Sequence, residues 1–260
     1  MYTDMHLHLQ DIPDAQMCKS ILTLAEQLNT GQFVCNATRP EDWLAVEKSA
    51  AEDPRVVPFF GVHPWYAGQL PSNWYETLES FLKRNPASGV GEAGLDKSRG
   101  VDLARQTEVL HRQIELAGRL KRPVALHCVQ AWSGVLNILK RSLPAKTRFM
   151  IHSYQGSREM LREFLALGGY ISFSWKSLQR DIEESIALMR AVPLDRLLLE
   201  TDFPYTEPGR IGADVHDEKY FETLQGVYNL AVRAKGIEEE TLEKAVWNNG
   251  TAFLSGTPAR

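Results

Sequence analysis

Seven histidines are spread along this 260-residue chain, and five of them sit where imidazoles can act together. His6 and His8 stand two apart in Asp4-Met5-His6-Leu7-His8, a segment of extended character. Residues i and i+2 of a strand point to one side, so both rings can face the same space. His63 follows an apolar run in Gly61-Val62-His63-Pro64, and His127 and His152 lie at the ends of two more. Two carboxylates join them: Glu92 inside a further run, in Gly91-Glu92-Ala93-Gly94, and Asp202 at the end of the last, in Thr201-Asp202-Phe203-Pro204. Imidazole nitrogen with carboxylate oxygen suits a divalent ion (Mg, Mn, Zn, Fe or Co) rather than soft copper(I). Six donors (His6, His8, Glu92, His127, His152 and Asp202) exceed what one catalytic ion takes, and a bridging Glu92 explains the number with two ions. Ions paired about 3.5–4 Å apart are a recurring device for phosphoester displacement, lowering the pKa of water and holding the attacking and leaving oxygens.

Each feature alone has a plain structural reading. A His-x-His pair in a strand can belong to the core, a glutamate after glycine can cap, and Asp202 before Phe203-Pro204 can shape a turn. The joint placement argues against that reading, because burying so many polar groups together without an ion or substrate is costly. His111, in a helical segment, and His216, in a late loop, read as structural or solvent-facing.

The elements that position these residues follow from the hydrophobic pattern. Strands are expected at 4–8, 33–37, 56–62, 89–94, 123–127, 148–153, 170–174 and 196–201. Helices are expected at 14–29, 40–52, 101–120, 131–142, 157–167, 178–191, 219–235 and 239–254, the second with Pro40 in its first turn. Eight strands alternating with helices over about 250 residues is the plan of a (β/α)8 TIM barrel, whose strand C-termini converge on one mouth. A doubly wound open sheet is the competing fold, but no Gly-x-Gly-x-x-Gly turn follows the first strand. One domain over residues 1–260 is expected, without repeats or linkers.

Composition narrows the function. Hydrophobic residues make up 43% and charged residues 24%, as in an ordered globular chain with a large core. A net charge of -4 argues against long duplexes held by phosphate neutralisation, though not against a strand end held by a few groups. Three separated cysteines (Cys18, Cys35, Cys128) form neither a disulfide framework nor a zinc-finger spacing. With no apolar run long enough for a membrane span, the expectation is a soluble, cytoplasmic monomer.

Taken together, the motifs resemble the TatD-like metal-dependent deoxyribonucleases of the amidohydrolase-type barrel superfamily. The match runs through the segments quoted above, then Gly94-Leu95-Asp96, Gln113, Arg122-Pro123-Val124 to His127, and His152-Ser153-Tyr154-Gln155-Gly156-Ser157. It ends with Gly169-Tyr170-Ile171-Ser172-Phe173-Ser174 and Glu200-Thr201-Asp202-Phe203-Pro204-Tyr205. The resemblance implies that His6, His8, Glu92 and Asp202 hold one ion and Glu92, His127 and His152 the second. Asp202 would handle the attacking water, and His63 would meet the substrate phosphate rather than serve as a main ligand. The implied activity is hydrolysis of DNA phosphodiesters, often from a strand end. The chain departs from the family in its outer contacts. An arginine two residues after the strand-five histidine, followed by an acid, is replaced by His127-Cys128-Val129-Gln130-Ala131. The usual Arg with Asn-Glu-Pro after the last aspartate is replaced by the stretch from Glu207 through Arg210 to Val215, and Lys97-Ser98-Arg99 stands where an aromatic is usual.

Substrate contacts are therefore expected from His63, Lys97, Arg99, Arg210 and Trp175, with Lys176, Trp65 and Tyr66 nearby. Lysine and arginine there can hold phosphate oxygens, and an aromatic ring can stack on a base. Trp43, Trp74, Trp132 and Trp247 read as helix packing. Glu92, Asp202 and His63 are the expected catalytic residues. Two other readings keep the same barrel: an amidase, lactonase or small-molecule phosphoesterase, and a non-catalytic metal-containing binding protein.

Overall fold

The computed structural model describes residues 1–27, 29–179, 181–205 and 216–256. Its first half runs β1 (Tyr2–Leu7), α1 (Ala15–Gln27), β2 (Thr30–Asn36), α2 (Trp43–Glu52), β3 (Val56–Phe60), α3 (Trp74–Arg84), β4 (Gly89–Asp96) and α4 (Leu103–Leu120). The second half runs β5 (Val124–Val129), α5 (Trp132–Ser142), β6 (Phe149–Ile151), α6 (Arg158–Ala166), β7 (Tyr170–Ser174), α7 (Trp175–Gln179) and α8 (Ile182–Ala191). It ends with β8 (Leu197–Glu200), α9 (Asp217–Lys235) and α10 (Glu239–Ser255). The strands pair in parallel in the order β1 to β8. This is the expected TIM barrel.

Two cores follow from alternation along the strands. Met5, Val34, Phe59, Ala125, Met150, Tyr170 and Leu198, from seven different strands, pack together with Phe253 of α10. A larger cluster, including Phe33, Phe60, Leu126, Ile151, Ile171 and Leu199, joins strands to helices. Losing a buried ring such as Phe253 costs about 3–5 kcal/mol, so α10 is tied firmly to the barrel.

The seam between β8 and β1 is closed just beyond the end of β8. Asp202 N–H donates to the His6 carbonyl (2.9 Å) and His8 N–H to the Phe203 carbonyl (2.7 Å). The buried Asp4 carboxylate reinforces it, accepting from Thr201 N–H (3.0 Å), Thr201 Oγ1 (2.6 Å) and the Tyr220 hydroxyl (3.1 Å). Burial pushes the Asp4 carboxyl up to about 7 in spite of the Thr201 hydrogen bonds.

Pairing slips at two informative places. Between Asp4 and Leu7, β1 sets two residues against one of β2, and between Val90 and Ala93, β4 does the same against β5. Such bulges bend a strand and re-aim its side chains. They fall at the residues that carry His6 and Glu92.

Several element boundaries differ from expectation. Strand β4 runs on to Asp96 and β5 to Val129, so His127 lies within its strand rather than at the end, as Glu92 was already expected to. The helix expected at 178–191 is two helices, because Asp181 takes extended backbone and caps α8, its carboxylate accepting from Glu184 N–H (3.1 Å). His216 caps α9 through Nδ1. None of the helices among the described residues is long and apolar enough to cross a membrane.

Candidate metal centre

The barrel mouth gathers His6, His8, His63, Glu92, His127, His152 and Asp202, none of them more than 9% exposed. Glycines allow the strands to approach closely here. A Cβ on Gly91 would lie 2.8 Å from Asn36 Oδ1, and one on Gly94 would overlap the His127 backbone. Two glutamines of α4 brace the strand ends like short strands: Gln113 bonds both N–H and C=O of Val62, and Gln106 does the same for Asp96.

Glu92 divides the donors into two sets. Its Oε2 lies 3.4 Å from His6 Nε2 and 3.5 Å from His8 Nε2. The two Nε2 atoms are 3.2 Å apart, and Asp202 Oδ1 lies 3.4 Å from that of His8 and 3.9 Å from that of His6. The other oxygen, Oε1, lies 2.7 Å from His127 Nδ1, 2.9 Å from His152 Nε2 and 3.5 Å from His63 Nε2. These separations match those between neighbouring ligands around an ion bonded at roughly 2.0–2.2 Å.

The outward-facing nitrogens fix which ring atoms carry lone pairs. His8 Nδ1 faces the Asn36 carbonyl at 2.8 Å, so its proton sits there and Nε2 is free to coordinate. His152 Nδ1 faces Glu200 Oε1 at 3.2 Å, and His127 Nε2 faces Asp96 Oδ2 at 3.0 Å. Each ring, once neutral, therefore keeps its proton on that outer nitrogen and turns a lone pair toward Glu92. His63 is the opposite case. Its Nδ1 accepts from Trp65 N–H (3.2 Å), which places the proton on Nε2 and makes that atom a donor toward Glu92. By distance alone His63 would join Glu92 and His127 as a ligand; the Trp65 N–H on its Nδ1 opposes that role.

In the first set, Nε2 of His6 and of His8 and oxygens of two buried carboxylates crowd together, and a cation could replace the protons that the carboxylates otherwise draw onto the rings. Burial and the neighbouring His152 lower the pKa of His6, and burial holds His63 well below the ordinary range. Burial also opposes charge on His8, His127 and His152, but adjacent carboxylates outweigh it and raise all three, His152 most clearly. Burial alone would raise Glu92 and Asp202, yet the surrounding histidines, together with Lys176 for Asp202, hold both carboxyls well below the usual range.

Three positioning groups stand out that the sequence did not single out. Asp96 binds Trp65 Nε1 (2.7 Å) and Ser98 N–H (2.7 Å) as well as His127. Glu200 joins His152 to Ser153 N–H (2.8 Å). Asp4 pins the seam, as described above. Lys176, expected only as a nearby cation, extends from α7 and donates to Asp202 Oδ2. All four depend on contacts between distant segments, which periodicity does not report.

The expected substrate contacts are placed less uniformly. Arg99 stacks over Trp65 at 4.3 Å, at the rim behind Asp96, and Lys97 is exposed beside it. Trp175 packs its six-membered ring against Gly226 of α9 and is not part of the donor cluster. Arg210 and the stretch to Val215 lie outside the described residues.

Comparison with known proteins gives a consistent result. A profile described as TatD related DNase matches residues 3–255. The 3'-5' ssDNA/RNA exonuclease TatD of Erwinia billingiae is 37% identical over 150 residues, 57% of this chain and 58% of that protein. The aligned part thus spans less than two thirds of that relative. The protein of the same name from Pantoea ananatis is 30% identical over 210 residues, covering 79% of this chain and 80% of the relative. Among solved structures, the TatD homolog YJJV from Escherichia coli superposes with a TM-score of 0.86 at 26% identity, covering 99% of this chain and 98% of its own.

Proposed function

Because the chain belongs to the TatD-related DNase family, we propose that it is a metal-dependent hydrolase of DNA phosphodiesters, working from a strand end at a two-ion centre. The observation that carries this reading is the division of Glu92, whose two oxygens face two separate donor sets. His6, His8, Glu92 and Asp202 would hold the first ion, and Glu92, His127 and His152 the second. Four imidazoles among six ligands favour zinc, manganese, iron or cobalt over magnesium, which prefers oxygen. When bound, two divalent ions supply a water of lowered pKa and positive charge opposite the phosphate.

The chain's own groups do the rest. Asp202 accepts the proton of the attacking water, and its ionised state is held by Lys176 and His8. His63, neutral and protonated on Nε2, donates a hydrogen bond to a phosphate oxygen. Asp96 and Glu200 keep His127 and His152 in the tautomers that coordinate. Lys97 and Arg99 add positive charge at the rim, and Arg210 is assigned a phosphate contact on its sequence position.

The test is cleavage of end-labelled single-stranded DNA, duplex DNA and RNA by metal-reconstituted protein, with esters and amides assayed in parallel. Stepwise shortening of DNA from one end, lost in Glu92→Ala and Asp202→Asn, is the expected result. Hydrolysis of esters or amides with no DNA cleavage under any of the metals would instead favour a small-molecule hydrolase.

A further inference from the structure

Beside the donor cluster, and sharing His127 and His152 with it, lies a cavity of about 130 Å³. Its other polar walls are Gln130, Ser153, Gln155 and Lys176, and Trp132 is its aromatic wall. Pockets for drug-sized ligands run to roughly 300–1,000 Å³, so this one has room for about one small planar ring system, single or fused.

The chemistry of the walls limits what that ring can be. Among the described residues no carboxylate lines the cavity, and the one ammonium that does, Lys176, is already paired with Asp202. Ser153 is also engaged, through the Ser174 hydroxyl (2.7 Å) and Glu200. Gln130 is exposed and Gln155 partly so, and each amide offers a donor and an acceptor to a ligand. Gln130 (φ 53°) and Ser153 (φ 46°) hold left-handed backbone that favours glycine, as does Asp202 (φ 60°). Such backbone is costly for other residues and clusters at working sites. A second phosphate would need free cations here. A neutral, planar heterocycle with donors and acceptors along its edge meets what the cavity offers.

We propose that this cavity seats the terminal nucleobase of the strand end cleaved at the adjacent centre, with Trp132 as its aromatic wall and Gln130 and Gln155 reading the base edge. The proposal rests on the nuclease reading and adds to it the group that the enzyme grips. An amide can present either its oxygen or its nitrogen, so the seat accepts different bases rather than one.

Calorimetric titration of manganese-loaded protein with dAMP and with 2-deoxyribose 5-phosphate isolates the contribution of the base. Stacking on an aromatic side chain predicts a preference for dAMP of roughly five- to a hundredfold. That ratio should fall towards one in Trp132→Ala, Gln130→Leu and Gln155→Leu. Trp132 also packs on Tyr154, with ring centroids 5.0 Å apart, so the glutamine variants carry the test if Trp132→Ala fails to fold. Equal affinity for the two ligands in the wild type, or a ratio unchanged in both glutamine variants, overturns the proposal. Protein that shortens DNA but binds both ligands equally loses the base seat and keeps the nuclease reading. Protein that prefers dAMP through these residues but cuts no DNA keeps the seat and loses the nuclease reading.

Discussion

Replacing Asp96 tests whether a carboxylate outside the donor set decides which ion the protein can hold. Asp96 Oδ2 accepts from His127 Nε2 (3.0 Å) and Trp65 Nε1 (2.7 Å), and Oδ1 accepts from Ser98 N–H (2.7 Å). In Asp96→Leu both ring donors lose their acceptor. His127 then gains by moving its proton to Nδ1, where Glu92 Oε1 waits at 2.7 Å, and the lone pair aimed at the second ion is lost. Removing such a partner typically costs 10–100-fold in metal affinity, or about 1.4–2.7 kcal/mol. Asp96→Leu is expected at the upper end of that range.

Asp96→Asn should be milder, because its amide can turn its oxygen towards His127 and Trp65 and its nitrogen towards Ser98. The Ser98 N–H that loses its acceptor belongs to an exposed residue and can find water, so about tenfold is expected. In both variants the first ion, remote from Asp96, should bind within a few-fold of the wild type. Titration of apo-protein with zinc or manganese reads both affinities, with circular dichroism to establish folding. Folded Asp96→Leu binding both ions at wild-type affinity, or losing both equally, would refute the tautomer argument.

Other consequences follow from the same geometry. Lys176→Met removes the cation on Asp202 and should lower kcat/KM about 10–100-fold, with Lys176→Arg recovering part of it; equal rates in steady-state assays would exclude a positioning role. Carboxylates raise His8, His127 and His152, so the apo-protein carries protons there that an incoming ion must displace. Apparent metal affinity should therefore rise with pH over about pH 6 to 8, with proton release seen as a buffer-dependent binding enthalpy, and a flat profile would contradict this. Gly94→Ala sets a Cβ against the His127 backbone, 2.7 Å from its carbonyl carbon, and should cost about 2–3 kcal/mol in denaturant unfolding; a neutral result would mean that β4 and β5 can move apart cheaply.

The donor set was legible in the sequence because a barrel strand is a short apolar run, and an imidazole or carboxylate at its end is conspicuous. His6, His8, His63, His127, His152 and Asp202 stand out in that way and Glu92 within its own run, and the structure brings all seven close together. The two bulges that aim His6 and Glu92 were not, since an extra residue in a ladder depends on the register of the neighbouring strand. The same holds for Asp96 and Glu200, which read as ordinary acids until β4 meets β5 and β6 meets β8 across the mouth. Lys176 took its place because the chain leaves β7 directly into the short α7, where the hydrophobic period suggested one later helix. Trp175 had the residue type for stacking on a base, but α9 claims its ring. Gln130 and Trp132 follow β5 while Gln155 follows β6, and only the fold brings the two segments around one cavity.

The central claim is that Glu92 bridges two ions, and anomalous scattering from crystals of metal-loaded protein tests it most directly. Data collected across the absorption edge should show two peaks, one within bonding distance of Glu92 Oε2, His6, His8 and Asp202, the other of Glu92 Oε1, His127 and His152. A single peak, or two peaks of which only one touches Glu92, would contradict it.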